Sequence, residues 1–579
     1  MRAKRRDRAR PREKKVSRDP VPHPTTSAAH AVFALVAAVL LWRATAQAWV
    51  AEIAPDEAVA AALRTALPLA SAAGSALLLV LGRDRPLRAL ATDAASYGAL
   101  LVVVFALALG PLPRDGIGLL FVIAVVARIG PAAIDVATRD RGAVAAFLVA
   151  LALYAPLAAW VAASAAPYGD QVHYLMAAER LREGSLDATL DAALFRELIG
   201  ADPTNADRAT HEIASPAGPR SVQGPLLPAL LLPGWILGGR VGAHLVVALI
   251  AALVSAQLWL LLREAAPPGR PRQLAWLGTT FLAPSLPLAT HVYPNALGAL
   301  LGVAAYRAAF TRRSALPLAA GALLGATLLL TPRDGLLLLA LAPFALRLHG
   351  RRFLAGVGAA AAVAIAVNAL IYGIPVPYAG YAFGTAAAQV LEQEPSITFR
   401  FWVGLPAMLF DRTFGLAAVA PWAFLAIAGL VSGLRERRAA LLPAAVAIAV
   451  TLAVLSVFRY WEGGYAPPAR YLIEVLPLAA PFIACGIVVA GRWVSSALFG
   501  IGALATILLA AIPTAGLNSA FEHKLREQIA VAVGTDPLGW LPSFQPTTPD
   551  WYVAAYLRLV PALLLCAALV WLGRRSVRA

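Results

Sequence analysis

Apolar runs long enough to cross a bilayer recur along this chain, and basic turns alternate with turns that carry little net positive charge. No other feature constrains the fold as much. About 20 apolar residues form one helical crossing, because backbone polar groups in hydrocarbon must be bonded within their own segment. The basic residues then orient each crossing, since Lys and Arg stay on the cytoplasmic side. Composition agrees. The 579 residues are 60% hydrophobic and 14% charged, whereas a soluble domain is roughly half apolar and about a quarter charged. A large soluble enzyme and a mainly disordered chain are both excluded. The net charge of +17 suits nucleic acid on its own, but topology-setting arginines give the same total, and no nucleic-acid partner is expected.

The charge is unevenly placed. Residues 1–19 hold ten Lys/Arg and three Asp/Glu, a basic tail followed at Ala28–Trp49 by a run that is read as a retained first span. Further spans are expected near Ala60–Leu81, Thr92–Leu109, Ile117–Ala137 and Ala143–Ser164, with Arg83–Arg88 and Arg139–Arg141 in inner turns. Inner turns recur at Arg263–Arg272, Arg312–Arg313, Arg347–Arg352, Arg435–Arg438, Arg492 and the tail Arg574–Arg578. Outer turns fall at His291–Asn295, Thr331–Gly335, Ile374–Arg400, Arg459–Arg470 and Ala515–Trp551. The alternation gives about 16 spans with both termini cytoplasmic. Gly224–Gly239 holds three prolines and is too short for the register, so it reads as an interfacial or re-entrant piece. The fold class is an all-α polytopic membrane protein. Its expected parts are a basic cytoplasmic tail (1–27), a four-helix extension (28–141), a transmembrane core (142–514), and an outer loop with a final helix (515–579).

The outer segments carry the chemistry. Ala165–Val222 is the longest polar stretch, with nine acids against five arginines. Inside it, Val172, Leu175, Met176 and Leu181 recur at helical spacing opposite Glu179, Arg182 and Glu183. The pattern predicts an amphipathic helix on the outer surface, stopping near Gly184. Asp170 opens that helix. It reads either as a plain N-cap or as a general base beside an apolar wall. His173 shares its face and would orient Asp170, bind phosphate or a metal, or simply sit at the interface. Elaborated loops gathered on one side make the outer face the working face.

The segment GDQVHYLMAAERLREGSLD (Gly169–Asp187) resembles the first outer loop of GT-C glycosyltransferases. Ser221–Gly242, LFDRTFGLAAVAPW (Leu409–Trp422) and GGYAPPARYL (Gly463–Leu472) follow in the same order. They are similar to a bacterial branch near the protein O-mannosyltransferases and lipid A aminoarabinose transferases. The resemblance spans roughly Ala143–Arg492. It implies a GT-C-like helical bundle in a bacterial inner membrane, with its active site on the extracytoplasmic face and amphipathic juxtamembrane helices in the first large loop. It implies sugar transfer from a polyprenyl-phosphate carrier to a hydroxyl of a glycan, lipid or protein acceptor. Asp170 would be the base, and Arg412, Arg470, Arg459 and Arg333 would meet the leaving phosphate, Arg412 and Arg470 being favoured by their motifs. Arg333 reads equally as a salt-bridge partner of its neighbour Asp334 or as a lipid-headgroup contact. His173, Glu462 and Tyr465 join them as substrate-binding candidates, with Tyr293 and Asn295 behind. Many members have a second acid beside the first, where this chain has Gln171, so Asp187, Asp191 and Glu212 become second-acid candidates and a divalent metal stays open. The rival readings are a lipid or glycolipid flippase, which would use Arg43, Arg64, Arg128 and Asp135 within spans, and an envelope scaffold without catalysis.

Overall fold

The computed structural model describes residues 114–579, apart from 187–190, 201–211, 312–315, 383–400, 459–460, 462, 464–465, 512–535, 537, 545–550 and 577–579. The basic tail, the first three expected spans, Asp187, Arg459, Glu462 and Tyr465 therefore lie outside the described residues.

Helices dominate because the apolar runs leave the backbone only its own carbonyls to bond. Among the described residues seven helical stretches are long and apolar enough to cross a membrane. The first two, α1 (Arg114–Thr138) and α2 (Ala143–Ser164), fall where the hydropathy pattern puts spans. The outer loop then supplies α3 (Asp170–Arg182), α4 (Ala192–Ile199) and a short antiparallel hairpin, β1 (Glu212–Ser215) with β2 (Gly218–Ser221). That hairpin is a departure from the all-α expectation.

Next comes α5 (Leu226–Ala265), which breaks at Gly238–Gly239. Gly239 has φ 51° and ψ −135°, a backbone that essentially only glycine adopts. Behind the break the chain folds back on itself. A Cβ at Gly234 would stand 2.4 Å from the Gly242 carbonyl oxygen, and one at Gly242 would stand 1.9 Å from that of Gly234. Leu226–Leu237 is thus a short arm against the longer helix. At 1.5 Å per residue it reaches about 18 Å, too little to cross about 30 Å of hydrocarbon.

The remaining helices are α6 (Arg270–Phe281), α7 (Ser285–Thr290), α8 (Asn295–Tyr306), α9 (Pro317–Ala326), α10 (Gly335–His349), α11 (Arg351–Tyr372), α12 (Phe401–Phe410), α13 (Leu425–Ser456), α14 (Leu476–Ala511) and α15 (Trp551–Ser576). A break at Gly491, beside the expected turn at Arg492, divides α14. In α13 a Cβ at Gly433 would come within 3.3 Å of Leu441 Cδ1. Eight residues of straight helix rise about 12 Å, so the chain bends sharply between them, around Arg435–Arg438.

Two ends of the bundle are chemically distinct. At one, Asp140 meets Arg263 at 3.7 Å and Arg272 at 3.5 Å. There too Glu264 takes two bonds from Arg307, and the His349 ring meets the Ala309 carbonyl at 2.8 Å. At the other end the start of α3, the α7–α8 turn, the α9–α10 turn and the segment before α14 converge. The helices carry the chain back and forth between these ends, as the alternating charge of the turns requires.

Candidate functional site

One feature of α3 departs from its sequence pattern. The amphipathic reading lays it on a surface, with one polar face in water, and Arg182 and Glu183 of that face are indeed exposed. The start of the helix is more enclosed than the stripe alone predicts: Gln171, Val172, His173, Tyr174, Leu175, Met176 and Ala178 are all buried. The polar ones sink because the bundle offers partners: Gln171 Oε1 accepts from the Val292 N–H at 3.0 Å. The short arm of α5 covers the far end, where Trp235 Nε1 donates to Glu179 Oε2 at 2.6 Å. The helix does stop where expected, with Gly184 left-handed at φ 73°.

Asp170 does not cap α3. The N-cap is Gly169, without a side-chain bond, and Asp170 is the first helical residue. Its Oδ2 instead accepts a short bond from Arg470 Nη2. The two residues are 300 positions apart. Arg470 is otherwise enclosed. Its Nε donates to Asn295 Oδ1 at 3.3 Å and its Nη1 to the Gly463 carbonyl at 3.1 Å. Its guanidinium carbon lies 4.4 Å from the centroid of the Tyr293 ring, a cation–π distance. The backbone is bent to aim it: Ala469 is left-handed at φ 57°, and its N–H donates to the Phe414 carbonyl at 2.9 Å.

A second layer stands behind Arg470. Asn295 Nδ2 donates to Glu474 Oε1 at 2.7 Å, and Arg333 Nε donates to the same oxygen at 3.1 Å. Burial pushes the Glu474 carboxyl up to about 7; Arg333 opposes this and Asp334 adds to it. Asp334 is fully buried, and its Oδ2 accepts from the Thr331 N–H at 3.0 Å and Oγ1 at 2.6 Å. Burial raises this carboxyl too, against the pull of Arg333. The sequence suggested a salt bridge between neighbours Arg333 and Asp334. The carboxylate folds back onto its own turn, and Arg333 reaches across to Glu474.

The other expected residues divide. His173 is buried one turn beyond Asp170. Arg412 lies in a turn joined to the Arg470 segment through the Phe414–Ala469 bond. Its neighbour Asp411, which the sequence did not single out, organises that turn. Asp411 Oδ1 accepts from Thr413 N at 2.8 Å and Phe414 N at 3.0 Å, and Oδ2 from Phe544 N at 2.8 Å. Asp191 is not a second acid of the site: it caps α4, accepting from Ala193 N and Leu194 N, and pairs with Arg180. Glu212 lies in β1, opposite Ser221 in the hairpin ladder. A carboxylate that does join the site is Glu474. Among the described residues no group of three or more His, Cys, Asp or Glu side chains could hold a metal ion. Asp135, a flippase candidate, is tied to Arg139 at 2.8 Å and Arg141 at 3.6 Å near the end of α1.

The site is therefore a buried set of two guanidiniums, three carboxyls and an aromatic wall at one end of the bundle. It can hold an anion and accept a proton from a hydroxyl. Compared with protein families, with curated proteins and with solved structures, the chain gives no match.

Proposed function

We propose that this chain is an integral-membrane glycosyltransferase of GT-C type that moves a sugar from a polyprenyl-phosphate carrier to an acceptor hydroxyl of a glycan, lipid or protein. The observation that carries the reading is the contact of Asp170 with Arg470, a base candidate and a phosphate candidate drawn from segments far apart. In a bacterial inner membrane, the Arg-rich end would face the cytoplasm with both termini, and the site would face outward, where carrier-linked sugars are presented.

The chemistry needs both members of the pair. A phosphodiester entering the site competes with Asp170 for Arg470, and the freed carboxylate takes the acceptor's hydroxyl proton. The acceptor oxygen attacks the anomeric carbon. The bond from that carbon to the phosphate oxygen breaks, and polyprenyl phosphate leaves with the electron pair, inverting the anomeric centre. Its charge grows by one as it leaves, and the fixed guanidinium meets that charge. Tyr293 supports the cation through its ring face.

Purified protein incubated with labelled polyprenyl-phosphate sugars and membrane extract tests the reading. A new glycosylated product supports it. Movement of the donor between leaflets without product refutes it in favour of a flippase.

A further inference from the structure

Arg470 shares its aromatic surroundings with a second cation. The Arg333 guanidinium carbon lies 4.4 Å from the Tyr471 ring centroid, and that of Arg470 lies 5.7 Å from the same centroid. Two buried guanidiniums repel each other unless something offsets their charge. Asp170 does so for Arg470, and Glu474 does so for Arg333. Two atoms in this set are buried with no hydrogen-bond partner among the described residues: Arg333 Nη2, a donor, and Asp334 Oδ1, an acceptor. The second lies close to Glu474. A Cβ at Gly298, one turn along α8 from Asn295, would stand 2.1 Å from Asp334 Oδ1 and 3.1 Å from Glu474 Cγ. Two carboxyls thus converge on one glycine.

The charge count matters. Two arginines against three ionised carboxylates (Asp170, Asp334, Glu474) give 2 − 3 = −1, the wrong sign for an anion site. One proton brings the set to 2 − 2 = 0, so an arriving anion no longer meets net negative charge, and with that proton on Glu474 the Arg333 guanidinium is released from its carboxylate partner.

We propose that Arg333 joins Arg470 as a two-guanidinium seat for a phosphate ester, and that the seat takes its anion together with a proton on Glu474. Arg333 is a ligand-binding residue; Glu474 acts through it, as a positioning residue. The inference rests on the glycosyltransferase reading only for the chemistry of the ligand. The groups around Glu474 support the choice of proton carrier. Arg333 and Asp334 face it from the α9–α10 turn, Asn295 from α8, and Arg470 and Tyr471 from its own segment. Beyond them stand Asp170 and Tyr174 of α3, with Tyr293, Tyr378 and Tyr381. Burial pushes Tyr174, Tyr293, Tyr378 and Tyr381 above their ordinary range, so they stay neutral. Glu474, held near 7, changes charge where cells operate.

The test is binding of farnesyl methyl phosphate to the full chain in detergent, by calorimetry at pH 6 and pH 8. This diester keeps one negative charge throughout, so any pH dependence belongs to the protein. A carboxyl near 7 that must be protonated predicts affinity about tenfold weaker at pH 8, with proton uptake visible in buffers of different ionisation enthalpy. Glu474→Gln should bind as tightly as the parent does at pH 6, with no pH dependence. Arg333→Lys should weaken binding at both pH values, because an ammonium loses the planar donors. Equal parent affinity at both pH values or an undiminished pH effect in Glu474→Gln overturns the proton coupling, and no binding at either pH, or Arg333→Lys binding as tightly as the parent, overturns the two-guanidinium seat. Sugar transfer with pH-flat binding sinks only the proton coupling. Coupled binding without any transfer sinks only the glycosyltransferase reading.

Discussion

Asp170→Asn separates catalysis from architecture, because the two roles of this carboxylate predict losses of different size. Its partner is almost enclosed: the Arg470 side chain is 7% exposed and that of Asp170 is 26%. Stripping one member from a fully buried pair costs roughly 3–5 kcal/mol. Here the site is partly open and the asparagine carbonyl still accepts from Nη2, so about 1–3 kcal/mol is expected. A protein stable by about 5 kcal/mol, the low end of the usual range, would retain at least ~2 kcal/mol and stay more than ~90% folded. Loss of a general base, by contrast, lowers the rate ~10²–10⁴-fold. Unfolding cannot imitate that deficit. The assay is sugar transfer from a polyprenyl-phosphate donor by the variant, normalised to the folded fraction in size-exclusion chromatography. A drop of at least ~100-fold is expected, with thermal stability modestly reduced. Transfer within a few-fold of the parent would refute the assignment of Asp170 as the base and leave it a structural partner of Arg470.

Three further outcomes probe the framework around that pair. Gly298→Ala should destabilise the chain by about 1–3 kcal/mol, since its Cβ would stand 2.1 Å from an Asp334 oxygen whose carboxyl Thr331 pins; an unchanged melting temperature would refute the convergence of the two carboxyls there. Asp411→Asn should cost about 1–3 kcal/mol, because one of its two oxygens, each already accepting backbone N–H bonds, becomes a donor facing a donor; thermal melting in detergent measures it, and a shift no larger than that of a surface Asp→Asn control would count against the hub. The folded Glu474 carboxyl keeps its proton to about 7, while the unfolded one loses it near 4.5; the folded state therefore binds more protons between those values, and stability falls as pH rises through that window. Melting of the parent between pH 5 and pH 8 should show this decline and Glu474→Gln should largely lack it; an identical slope in both would clear Glu474 of responsibility.

The sequence made some of this legible and hid the rest for a physical reason. The span Ala143–Ser164, the stop at Gly184, the end of the short apolar piece at Gly239 and the turn at Arg492 were readable because each depends on local preference: apolar residues for hydrocarbon, arginine for water, glycine for the end of a helix. The meeting of Asp170 and Arg470 was readable only through a resemblance that ordered the motifs. Glu474 escaped because it sits in RYLIEVLP, where it looks like a stray acid at the mouth of an apolar run. Its partners Arg333 and Asn295 are 141 and 179 positions away. One signal was present: an ionisable residue entering a span, four residues after Arg470, is a site candidate in its own right. Arg333 shows the opposite error. Its neighbour Asp334 looked like its partner, but a carboxylate three residues from a threonine can close on its own turn, and the released arginine finds a distant acid.

The same contrast explains why the start of α3 is enclosed. Its apolar stripe is real, and a stripe normally means that the other face meets water. Gln171 and His173 are buried nonetheless, since the α7–α8 turn supplies Gln171 with a backbone partner and the folded-back arm of α5 covers the helix. A polar side chain reports exposure only when no other element can satisfy it. In a bundle this apolar, where most of the buried surface would be gained by any packing, the few buried polar groups settle which packing forms. Several of them, Gln171, Asn295, Asp334, Arg470 and Glu474 among them, lie where the helices converge at one end, so some of the residues hardest to place from sequence are the ones that assemble the site. The arrangement that brings Arg470 to Asp170 is therefore held by Asn295, Glu474 and Gln171 as much as by hydrophobic contact, and changing any of these should alter the site before it alters the fold.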